Sequence, residues 1–68
     1  MTTERREVLE LLVELSEAYP EMRLGQVLGW FAGAARGPRP ESIYDAEDTE
    51  LISVMRAHLE KRHAVPQA

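Results

Sequence analysis

The chain has no cysteine, which removes two of the means by which very small domains are held together, disulfide bridges and thiolate-bound metal. It also lacks a long hydrophobic run. Its longest stretch without a charged residue, Leu24 to Ala35, has twelve residues, whereas a bilayer-spanning helix needs ~20. The Met-Thr-Thr-Glu-Arg-Arg opening contains no apolar run of the kind a signal peptide carries, so the expected setting is the cytoplasm, away from any membrane. Basic charge is in the minority, with 8 Lys and Arg against 12 Asp and Glu and a net charge of −4. That balance is wrong for a phosphate-binding surface and argues against nucleic acid as a partner. Alternating runs long enough for a sheet are missing, as are internal repeats and low-complexity tracts. What remains is a single domain, 1–68, near the lower size limit at which an apolar core folds unaided. Well-packed helices or self-association must make up the difference.

Three segments carry helical periodicity. The first spans about 3–18: Val8, Leu11, Leu12, Leu15 and Tyr19 recur on one face, Thr2 or Thr3 caps the start, and Tyr19, held out of helical geometry by Pro20, ends it. Glu7, Glu10, Glu14 and Glu17 form a stripe opposite the apolar face. This is either a solvated surface or a docking stripe for a basic partner. Leu9 and Val13 lie outside the main face, which widens the apolar arc and implies contacts on two sides. The second segment spans about 21–35, with Pro20 suited to its first turn and Leu24, Val27, Leu28, Phe31 and Ala35 as its apolar face. Gly25, Gly29 and Gly33 recur every four residues on roughly the opposite side. Each costs a helix interior ~1 kcal/mol relative to alanine, so either another helix approaches there, within the fold or across a dimer, or the spacing is accidental. Arg36 to Ser42 reads as a Pro/Gly loop, after which Ile43 and Tyr44 are expected to drop back onto the core as staple residues. The third segment spans about 46–62, with Asp45 as N-cap and Asp48 in a box-like position. Leu51, Ile52, Met55 and Leu59 form its apolar face, flanked by Val54 and His58; Lys61, Arg62 and His63 close it in the order that suits the helix dipole. Residues 63–68 read as a frayed tail. The expected fold is all-α, a compact three-helix domain with a Pro/Gly loop before the third helix.

Reaction chemistry finds little support. Ser16, Ser42 and Ser53 lie in no glycine-flanked elbow, and His58 and His63, five apart, do not share a helix face as two metal ligands would. The acids Asp45, Glu47, Asp48 and Glu50 lack the glycine and alternating ligands of a calcium loop; helix capping accounts for them more simply. No catalytic residue, cofactor site or metal site is assigned. The polar-aromatic group Arg23, Gln26 and Trp30 shares one flank of the second helix at ~100° per residue. As a recognition patch it would use the residue types that dominate interface hot spots. As a structural clamp, Arg23 would pair with Asp45 or Asp48, and Gln26 would satisfy loop carbonyls.

Arg23-Leu24-Gly25-Gln26 followed by Tyr44-Asp45-Ala46-Glu47-Asp48, with Tyr19-Pro20 just upstream, resembles a group of short, uncharacterised bacterial proteins over roughly Tyr19 to Leu59. Their pattern is an Arg-apolar-Gly-Gln stretch and then an aromatic-acidic stretch opening the last helix. Trp30 stands where such proteins often carry asparagine. The resemblance implies a small helical protein and supplies no activity. The expected function is a non-enzymatic protein–protein interaction module, a homodimer with an unknown protein partner; the alternative is a helix-turn-helix regulator, against which stands the absence of a basic face on any candidate recognition helix.

Overall fold

The computed structural model describes the backbone of residues 1–64 and the side chains of 1–63, and the protein is all-α: α1 (Thr3–Ala18), α2 (Leu24–Arg36), a short α3 (Ser42–Asp45) and α4 (Asp48–Ala64). Helix α1 has the limits its periodicity predicts. The Thr2 side chain accepts from the Arg5 amide at 3.1 Å, and Tyr19 leaves helical geometry at φ −128°, ψ 66°, as a residue before proline must. Helix α2 starts three residues later than Pro20 suggests. Pro20 sits in the corner, where the Met22 amide returns to the Tyr19 carbonyl at 3.0 Å, and Arg23 is extended at φ −74°, ψ 152°. Helix α4 runs on through His63 to Ala64, so the first part of the expected tail is helical; 65–68 lie outside the described residues.

Helices α1 and α4 run in the same direction, with Glu7 paired to Arg56 and Glu14 facing His63. Helix α2 runs against α4: its end reaches Glu50 through Arg36, and its middle places Phe31 beside His58. Leu15, Val27, Phe31, Met55 and Leu59 are buried together at the junction, with Leu11, Leu12, Tyr19, Met22, Leu51 and Val54 packed around them. Leu24, expected on the inner face of α2, is exposed, and Ala32 is buried in its place. Leu24 is the first residue of α2 and so stands at its end, whereas the body of the helix packs against α3 as well as α4.

The Pro/Gly segment is more regular than its composition suggests. Gly37 ends α2 at φ +100°, a conformation that disfavours any side chain, with its amide bonded to the Gly33 carbonyl at 2.7 Å. The chain turns back so that Ser42 is buried and its hydroxyl donates to the Gly37 carbonyl at 2.6 Å. Ser42, not Ile43 or Tyr44, is the residue that drops inward: Ile43 is exposed and Tyr44 is 87 % exposed. A one-turn helix presents neighbouring residues to different sides, and the serine occupies the inner one. Among the described residues no helix is long and apolar enough to cross a membrane.

Candidate interaction surface

The residues of the two sequence signatures do not converge on one site. Among the described residues neither Arg23 nor Asp45 makes an ion pair; both are exposed, Asp45 at the end of α3, and Asp48 is taken by Arg5 at 2.9 Å. The clamp between Arg23 and Asp45 or Asp48 is therefore absent. Gln26 does not reach the loop: its Oε1 accepts from the Arg23 backbone amide at 2.8 Å. This is half of a capping box, since a guanidinium has no acceptor with which to return the bond. The Arg-apolar-Gly-Gln stretch thus starts α2. Replacing Arg23 with alanine is expected to change stability by less than ~0.5 kcal/mol, read as a melting temperature close to wild type. A large loss in that variant would restore a structural role for the guanidinium.

The acidic stretch also caps a helix, two residues later than expected. Asp45 is not the N-cap of α4. Glu47 takes that place, its carbonyl accepting from the Leu51 amide at 3.0 Å and its own amide donating to Glu50 Oε1 at 2.8 Å. The Glu47 amide and then the Arg36 guanidinium, 2.9 Å away, hold the Glu50 carboxyl below its ordinary range. The intervening α3 consumes Ser42 to Asp45, which shifts the start of α4. An open hollow of about 450 Å³ lies between the starts of α1 and α4, lined by Thr2, Arg5, Ala46 and Asp48 among others. Its arginine and Asp48 neutralise each other.

The glycine stripe does not mark a close helix approach inside the fold. A methyl group at Gly25 or Gly29 would meet nothing within 4 Å, and Gly33 has only the Pro38 backbone, at 3.8 Å. The glutamate stripe of α1 is partly spent within the molecule. Glu7 and Glu14 face Arg56 and His63 of α4, so the basic surface they meet is the chain's own.

Trp30 has the strongest set of contacts among the candidate residues. It stacks on Phe31 at 4.7 Å and meets Tyr19 and His58 edge-on at 5.3 Å and 4.8 Å, while 39 % of it stays exposed. The Tyr19 hydroxyl lies 2.7 Å from His58 Nε2, and the Arg62 guanidinium sits 5.0 Å over the Tyr19 ring. This corner joins the end of α1, the middle of α2 and the last turns of α4. Sequence reasoning placed Tyr19 and His58 on or beside apolar faces but did not pair them; two polar-tipped rings flanking those faces were the available signal. His58 is engaged by tyrosine and Ser42 by a backbone carbonyl, so neither is set up to activate the other. No group of three His, Cys, Asp or Glu is placed to hold a metal ion among the described residues. Compared with protein-family models, curated proteins and solved structures, the chain has no significant match.

Proposed function

We propose that this protein is a small non-enzymatic interaction module that associates with itself, working in the cytoplasm and sharing its design with the short bacterial proteins its two signatures resemble. The observation that carries the reading is the distribution of large apolar side chains. Among the described residues seven hydrophobic residues are buried, while Leu9, Val13, Leu24, Trp30, Ile43 and Tyr44 stand exposed on three different helices. Single exposed apolar residues are ordinary. In a chain this short, without a disulfide, such a share leaves a thin core that association would supplement. The non-enzymatic part is supported by the engagement of Ser42 and His58 in bonds that hold the fold. Light scattering across micromolar to millimolar concentration tests self-association. A mass rising above that of one 7.7 kDa chain is the expected result, and a mass that stays there throughout overturns it.

A further inference from the structure

We infer that the outward face of α1 receives a second copy of this chain, the two α1 helices packing antiparallel about a two-fold axis; the inference rests on the self-association reading above. At ~100° per residue, Leu9, Val13, Arg6 and Glu17 fall within an arc of about 80°. The opposite face of the helix buries Val8 and Leu15, whereas Leu9 is 42 % and Val13 59 % exposed. They stand one turn apart, so together they form a short apolar ridge that neither α2 nor α4 covers.

The charges on α1 select the occupant and its direction. Arg5 is paired with Asp48 and Glu7 with Arg56, and Glu14 faces His63. Glu4, Arg6, Glu10 and Glu17 are exposed and make no ion pair among the described residues; of these, Arg6 and Glu17 lie within the arc. They flank the ridge at its two ends, the cation toward the N-terminus and the anion toward the C-terminus. A two-fold axis passing between Leu9 and Val13 sets Leu9 against Val13 of the second copy. The same operation brings Arg6 to Glu17 of the second copy, and it does so twice, because a two-fold contact repeats every pair. Side-by-side parallel packing would instead oppose Arg6 to Arg6 and Glu17 to Glu17, a like-charge arrangement that disfavours it. The glycine face of α2 is also open, but no charge beside Gly25 or Gly29 would orient a partner. Helix α1 is ~24 Å long, and one face of it covers less than the ~800 Å² per partner of a stable interface. The dimer is accordingly reversible and concentration-dependent.

Sedimentation equilibrium on the full chain, from micromolar to millimolar concentration, tests this. Wild type is expected to dimerise and Val13→Glu to remain monomeric with unchanged helical circular dichroism, since Val13 contributes little to the core. Arg6→Glu and Glu17→Arg are each expected to weaken dimerisation about tenfold, because each turns two attractive pairs repulsive. Combining them exchanges the charges and is expected to restore wild-type association. A dimer indifferent to Val13→Glu overturns the α1 interface and leaves self-association standing, through α2 or α3. Loss of association in both single variants without recovery in the combined one overturns the antiparallel pairing. A wild-type chain that stays monomeric overturns this inference and the self-association reading together.

Discussion

Phe31→Ala is expected to remove roughly a third or more of the protein's stability. Phe31 is 2 % exposed and sits where all three long helices meet, within the cluster of Leu15, Val27, Met55 and Leu59. Its ring also supports Trp30, stacked at 4.7 Å, and His58, edge-on at 5.4 Å. Truncating a buried phenylalanine costs about 3–5 kcal/mol, because the transfer energy of the ring is lost and the cavity closes only partly. A chain of 68 residues has a total stability of roughly 3–10 kcal/mol at the usual 0.05–0.15 per residue. The loss is therefore roughly a third of the whole at the upper end of that range and all of it at the lower end. Circular dichroism and thermal melting decide it: a drop in melting temperature of more than about 12 °C, or no cooperative transition, is expected. A variant melting within about 4 °C of wild type would mean that Phe31 is not at the centre of the core.

Tyr19→Ala is the second large effect, expected at about 2–3 kcal/mol. The ring makes an edge-on contact with Trp30, and an aromatic pair adds ~0.5–1.5 kcal/mol beyond burial. Its hydroxyl bonds to His58, worth a further ~0.5–1.5 kcal/mol. The remainder is packing against the core, partly buried and so discounted. Trp30 is the only tryptophan, so its fluorescence reports this corner directly. Denaturant unfolding followed by that emission is expected to show the loss in midpoint together with a change in the folded-state spectrum. A double-mutant cycle between Tyr19→Phe and His58→Ala isolates the hydrogen bond. Strict additivity of those two substitutions would show that the two groups do not interact in solution.

The same residues show where sequence reasoning reaches and where it stops. The existence of three long helices, the end of α1 at Ala18 and the inward placing of Leu15, Val27, Phe31, Met55 and Leu59 follow from local rules. Periodicity of 3.6, the restriction on a residue before proline and the exclusion of helix by paired Pro and Gly act over a few neighbouring positions. Side-chain partnerships obey no such rule. Arg5 finds Asp48 across 43 residues of chain, a pairing set by the axial register of α1 against α4, and register is decided by how the buried side chains interlock. Exposed ion pairs contribute too little, ~0–1 kcal/mol, to dictate that register themselves. So the charge pattern could suggest Arg23 as a clamp while the packed helices put Arg5 there instead.

The region between α2 and α4 makes the same distinction at the backbone. Composition determined that a break would fall around Pro38 and Pro40, which carry no amide hydrogen; the break is shorter than the expected Arg36 to Ser42, because Arg36 ends α2 and Ser42 opens α3. Which residue then turns inward depended on the shape left between α2 and the start of α4. Ser42 fits it, with the Gly37 carbonyl as its acceptor, and Ile43 and Tyr44 go to the surface although both are more apolar. What the amino-acid sequence determined by itself is the three long helices, most of their core faces and the approximate position of the breaks, all consequences of short-range stereochemistry and hydrophobic period. Only the tertiary structure decided the ion pairs, the Tyr19–His58–Trp30 corner and the exposed face of α1, because each depends on the relative placement of elements distant in the chain.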